Sequence, residues 1–262
     1  QGTEENSRVY IRGSYKSLGE EVPPRFLEAL GGQTGSRLDL ANRIANGENP
    51  LTSRVVVNRL WHHLFGRGIV PTVDDFGPQG QPASHPELLD WLANDLVKNG
   101  WSLKQTIRQI VLSQTYGQAS VAHPNSDLDK IAITDPENVL LHRMPVRRLQ
   151  AEAIRDAILT VSGRLDERQF GPSVATHRTA FMTGRGGRGS GPLDGAGRRS
   201  VYLAVYRNFL NPFMQTFDTP GPFGPKGRRS VSNVPAQALA LMNDPFVIEQ
   251  TKFWVNSLPN VD

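Results

Sequence analysis

Ser84-His85-Pro86-Glu87 and Ser102-Leu103-Lys104-Gln105 each open an apolar run with the hydroxyl and, three residues on, the acid or amide of a capping box. Between them Leu88, Leu89, Trp91, Leu92, Leu96 and Val97 recur at helical spacing, and Gly100 stands where a glycine ends a helix. The second box leads into Leu103, Ile107, Ile110 and Val111. Two helices with so short a link form a helical hairpin, so part of the core must be helix against helix. A third helix is as well marked. Val56, Val57, Leu60, Trp61, Leu64 and Phe65 fill one wide stripe at about 100° per residue, closed by Gly66. Asn49-Pro50 stops the preceding chain, and Thr52 or Ser53 is the expected cap. Asn58 and His62 fall away from the stripe, while Arg54 and Arg59 lie nearer its edges.

The rest of the chain follows the same grammar. Val9-Tyr10-Ile11-Arg12-Gly13 reads as a short strand ending in a turn. Leu38, Leu40, Ala41 and Ile44 suggest a helix ending near Gly47. Pro145 opens a helix through Val146, Leu149, Ala153, Ile154, Ala157, Ile158 and Val161, closed by Gly163. Val201-Tyr202-Leu203-Ala204-Val205-Tyr206 is a continuous apolar run that reads as a strand or a buried helix. Pro235 opens a helix with Ala238, Leu239, Leu241 and Met242, and Asp244-Pro245 breaks it before a terminal helix to Trp254. Segments 14–36, 67–83, 116–140 and 211–233 read as loops. The 25 glycines and 19 prolines agree with long structured connections. The predicted fold is mainly α: a single helical domain over 1–262, with long ordered loops and one or two short strands. Residues 184–197 form a Gly/Arg-rich stretch expected to be a flexible loop.

Charge and composition narrow the function classes. Twenty-nine basic against 25 acidic residues leave a net charge of only +4. The arginines of the Gly/Arg stretch have no interleaved aromatics and no following G-K-[ST], so neither nucleic-acid binding nor a phosphate loop is expected. The chain has no cysteine. That removes disulfides, thiolate metal sites, a cysteine nucleophile and covalent haem attachment on this chain. No apolar run approaches the roughly 20 residues of a membrane span, and no signal peptide is expected at the polar Gln1-Gly2-Thr3-Glu4-Glu5 opening. No G-x-S-x-G elbow places a serine nucleophile.

Asp74, Asp75, His85 and Glu87 are the candidate catalytic residues. Carboxylates and an imidazole within fourteen positions supply general acid and base groups or cation ligands. A structural reading stands beside it: Asp-Asp-x-Gly suits a tight turn, and Glu87 has a capping role. Arg54, Asn58 and Arg59 are candidate binding residues, with Arg54 or Arg59 also able to pin Asp74 or Asp75. Adjacent His62 and His63 diverge on the helix, so no two-histidine metal site is expected there. Arg198, Arg199, Arg228 and Arg229 are candidate anion-binding residues, because guanidinium forks hold carboxylates and sulfates bidentately. Asp156 and Asp218 are expected to be structural ties.

Longer motifs point to a family. Asn49-Pro50-Leu51-Thr52-Ser53-Arg54-Val55-Val56-Val57-Asn58-Arg59-Leu60-Trp61, Phe65-Gly66-Arg67-Gly68-Ile69-Val70, Asp74-Asp75-Phe76-Gly77 and Ser84-His85-Pro86-Glu87-Leu88-Leu89-Asp90-Trp91 stand in order. Arg147-Arg148-Leu149-Gln150-Ala151-Glu152, Arg198-Arg199-Ser200-Val201-Tyr202 and Pro235-Ala236-Gln237-Ala238-Leu239 follow. Together they resemble the planctomycete surface-protein domain of unknown function, over about residues 9–250. The resemblance implies an extracytoplasmic place, at the periplasm or cell surface, in large multi-domain proteins, C-terminal to another uncharacterised domain and often to a cytochrome-c-like domain. It carries no established catalytic residue. On it we expect a non-catalytic scaffold or docking module, with other domains or subunits of a surface assembly as partners and haem only on a partner or another domain. The alternative is a hydrolase, lyase or binder acting on anionic polysaccharide, using Asp74, Asp75 and His85 with the arginines.

Overall fold

The computed structural model describes residues 6–28, 31–121, 125, 127–182 and 189–259. It is mainly helical, as the apolar spacing predicts: among the described residues nine α-helices stand beside one two-stranded sheet. The chain divides into two compact units, residues 1–145 and 146–262, each with its own buried core.

In the first unit β1 (Ser7–Tyr10) pairs antiparallel with β2 (Leu18–Val22), Ser7 opposite Val22 and Tyr10 opposite Leu18. The strand predicted over 9–13 therefore sits two residues earlier, and its partner lies in a stretch predicted as loop. α1 (Arg37–Ala45) opens on a capping box, in which Ser36 Oγ accepts from the Asp39 amide at 3.2 Å and the Ser36 amide donates to the Asp39 carboxylate at 2.9 Å. α2 (Pro50–Phe65) is capped by Asn49, whose Oδ1 accepts from the Leu51 amide at 2.9 Å. The expected cap at Thr52 or Ser53 lies inside the helix, because a proline at the first helical position gives up no needed donor and has its φ already set. Gly66, at φ 85°, closes the helix in the left-handed region.

The helical hairpin is present as α3 (Pro86–Lys98) and α4 (Leu103–Val111), linked through Gly100 and Trp101, both at positive φ. α4 has the expected Ser102 cap on the Gln105 amide, at 3.4 Å. α3 does not have the expected box. His85 is its cap residue without a side-chain capping bond, and Ser84 instead donates both its hydroxyl and its amide to the Ile69 carbonyl. A further helix, α5 (Leu128–Thr134), occupies part of the predicted 116–140 loop. The core gathers Val57, Trp61 and Phe65 from α2, Leu89, Leu92 and Leu96 from α3, Ile110 from α4, and Ile69 and Val70 from the loop after α2. Each such side chain contributes about 1.5–3 kcal/mol on full burial. Trp61 is buried, Trp101 is half-buried, and Trp91 and Trp254 are exposed.

In the second unit α6 (Ala151–Val161) starts six residues after the predicted Pro145, so Arg147 and Arg148 lie in the non-helical segment before it. Ala151, Arg155 and Leu159 form its buried stripe. The run 201–206 is neither strand nor helix. A 3-10 turn at Ser200–Tyr202 precedes one parallel bridge, Leu203 to Val174, and Pro172 has no N–H to extend that pairing. α7 (Pro212–Thr216), α8 (Pro235–Asn243) and α9 (Pro245–Ser257) follow, α7 inside a predicted loop. Ala151, Leu159, Phe213, Met214, Phe217 and Phe246 form the core. Of the Gly/Arg stretch, residues 184–188 lie outside the described residues. Its end is tightly built: Asp194 Oδ1 accepts from the Ala196 amide at 2.9 Å, and Asp194, Gly195 and Gly197 are buried. Gly195 has φ 59°, and a Cβ there would stand 2.6 Å from the Arg155 guanidinium.

Candidate functional site

Around α2 and the loop that follows it, the predicted polar residues hold the chain together. Asn58 is fully buried. Its Nδ2 donates to the Val70 carbonyl at 2.9 Å, and its Oδ1 accepts from the Val70 amide at 2.8 Å. It is a clip between helix and loop and has no surface to offer a ligand. Gly68 makes the clip possible, since a Cβ there would lie 2.4 Å from the Val70 carbonyl and 2.8 Å from the Asn58 amide. Arg54 pairs with Asp90 of α3 at 2.6 Å rather than with the loop acids. Arg59 does reach the loop, pairing with Asp74 at 3.6 Å.

The four catalytic candidates stand in two places, Asp74 and Asp75 in the loop after α2 and His85 and Glu87 at the start of α3. Asp75 Oδ1 accepts from the Gly77 amide at 2.8 Å, and its carbonyl accepts from the Thr72 hydroxyl at 2.7 Å, which is turn geometry. Gly80 closes the same turn, where a Cβ would meet the Asp75 carbonyl at 2.3 Å. His85 Nδ1 lies 2.9 Å from Ser84 Oγ, and Glu87 is exposed in the first turn of α3, near the positive end of the helix dipole. Among the described residues no three histidine or acidic side chains gather as a metal site.

In the second unit the two arginine pairs split. Arg198 is buried over the Tyr202 ring and donates to the Phe170 carbonyl at 2.7 Å. Arg228 is exposed. Arg199 and Arg229 line a common cavity of about 520 Å³. Its acidic wall comes from Glu152 and Asp156 on the outer face of α6, and its apolar wall includes Leu203, Val205, Phe209, Leu210 and Met214. Arg229 donates to Glu152 at 2.5 Å. Burial raises the Glu152 pKa. The Arg229 hydrogen bond, helped by a backbone amide and the guanidinium charge, outweighs it, and the carboxyl ends below its ordinary 4.5. Asp156 is more heavily engaged. Its Oδ1 accepts from the Ser200 hydroxyl at 2.7 Å and amide at 2.8 Å, with Arg155 at 3.4 Å. Arg199 approaches only its other oxygen, at 3.8 Å, and keeps 54% of its side chain exposed.

Behind this wall Arg155 is 2% exposed. It donates to the Asp194 carbonyl at 2.7 Å, the Arg198 carbonyl at 2.9 Å and Ser200 Oγ at 3.0 Å. Asp218, the other expected tie, accepts from the Ser232 amide and hydroxyl at 2.8 and 2.7 Å, and these bonds together with Arg148 hold its carboxyl below the ordinary range. The sequence reading missed the cavity, whose walls come from segments up to about 80 residues apart. Arg155 carried a signal that could have been used, because it lies four residues from both Ala151 and Leu159 on one stripe.

These features define a mainly helical protein of two compact units, with a mixed-charge cavity in the second. The chain belongs to the family described as a protein of unknown function, DUF1553 (PSD1), whose model matches residues 36–261. No curated protein and no solved structure matches it.

Proposed function

We propose that the chain is a non-catalytic docking module of a larger extracytoplasmic assembly. The observation behind this reading is α8. The helix has no charged residue, and the residue it buries is Gln237, whose amide donates to the Thr216 carbonyl at 3.0 Å and to Ser232 Oγ at 3.1 Å. Leu239 and Met242 point the other way and are 58% and 73% exposed, and Leu241, one turn after Gln237, is still 45% exposed. A helix with its amide inside and its large apolar side chains outside has a face suited to another protein surface. The partner is another domain or subunit of the assembly, and the resemblance to the surface-protein domain makes a c-type cytochrome the first to test. A photo-reactive amino acid at position 242, introduced in the native host, tests this. One discrete cross-linked species, lost in the Leu239→Lys variant, supports docking, and haem in that species identifies the cytochrome. A lone uncross-linked chain that turns over a glycan overturns it.

The second reading is binding of an anionic polysaccharide. It gains from Arg199 and Arg229 sharing one cavity. On this reading Asp74, Asp75 and His85 supply acid, base or cation groups; Asp75 also accepts from the Gly77 amide, Asp74 pairs with Arg59, and His85 is the residue before α3.

A further inference from the structure

We propose that the cavity in residues 146–262 is a binding site for an organic carboxylate with an apolar body. This inference is independent of the docking reading, which rests on the surface of α8. The volume falls within the usual range of small-molecule sites.

Charge decides the polar end of the ligand. Three guanidiniums, Arg155, Arg199 and Arg229, face two carboxylates, Glu152 and Asp156, while the Asp194 carboxylate near Arg155 pairs with Arg164 at 3.1 Å. Glu152 is matched by Arg229, and Asp156 is already held by Ser200 and Arg155. Arg199 is the cation left over. Among the described residues its only partner is Asp156, at 3.8 Å through Nε, so its terminal nitrogens can take a carboxylate as a planar fork. A second basic ligand group would find the acids occupied, and a neutral polar ligand would leave the surplus charge unmatched.

The lining decides the other end. Leu203, Val205, Phe209, Leu210 and Met214 give the cavity an apolar wall that no sugar hydroxyl would satisfy. An aliphatic or aryl body fits this wall, with its carboxylate at Arg199.

Isothermal titration calorimetry of the full chain tests the site with phenylbutyrate, its neutral amide and glucuronate. Phenylbutyrate is expected to bind with a Kd on the order of 1 mM. Its amide, and phenylbutyrate on the Arg199→Gln variant, are each expected to bind about tenfold more weakly. Ala153→Trp keeps Arg199 and fills the cavity from an exposed helical position, so it should abolish binding while circular dichroism stays unchanged. The site is overturned by no phenylbutyrate heat on the folded chain, by equal affinity for acid and amide, by undiminished binding in either folded variant, or by glucuronate binding more tightly than phenylbutyrate.

Discussion

Arg155 shows how one residue can hold a distant segment, residues 194–200, in place. Burial pulls its guanidinium below its ordinary pKa, and the charges of Asp156 and Asp194 oppose that pull. Its hydrogens go to Asp194, Arg198 and Ser200, which lie 39 to 45 residues away. Arg155→Met keeps the stem but removes all three of those hydrogen bonds. It should cost about 3–5 kcal/mol, read as a lower urea midpoint with loss of the near-ultraviolet signal. Asn58→Ala should cost about 2–3 kcal/mol by leaving both polar groups of Val70 unpaired, while Asn58→Asp keeps the acceptor and loses the donor. Thr219 gives the opposite sign. Its hydroxyl is shielded and has no partner among the described residues, so Thr219→Val should leave the thermal midpoint unchanged or raise it. The residue types at these positions are plain in the sequence. Whether Asn58 faces a ligand or the Val70 backbone is not, because it depends on how the loop after Gly66 folds back over α2.

At the scale of elements, prolines carry much of the organisation. Pro50, Pro86, Pro212, Pro235 and Pro245 each stand at the first turn of a helix, with Asn49, Asn211 and Asp244 supplying side-chain caps. Asn49→Ala should cost about 1 kcal/mol of α2 stability, measurable as a shift in the chemical denaturation midpoint. The apolar period located α2, α3, α4, α8 and α9, because it is a local property that any packing must respect. It failed at α5 and α7, which are too short for a period to show, and at the start of α6, where Val146 and Leu149 continue the apolar pattern in an exposed non-helical segment. It also left open the facing of α8. Leu239→Lys should keep the stability within about 0.5 kcal/mol of the parent, read from thermal melts, while removing the cross-link from position 242.

Across the whole molecule, acid sensitivity follows from carboxylates tied to donors. The Arg168 side-chain hydrogen bond, followed by its amide bond, lowers Asp166 from 3.8 to about 2. Asp39, Glu152 and Asp218 are lowered as well, by Ser36, by Arg229 against burial, and by Ser232. A depressed folded pKa stabilises the fold above the unfolded value and loses that contribution as pH falls through the folded one. Stability should therefore hold down to about pH 4.5 and fall progressively towards pH 2, followed by thermal melts across that window; an unchanged midpoint at pH 2.5 would refute these ties. Most of the helices were determined by the sequence alone, since caps, prolines and apolar periods act within a few residues of one another. Only the tertiary structure decided which polar residues are free. Asp156 finds Ser200 44 residues away, and Arg229 finds Glu152 at a separation of 77, so a side chain's partner depends on chain distant from it. The same packing that turned Gln237 inward and Leu239 outward left Arg199 as the cation open to a ligand.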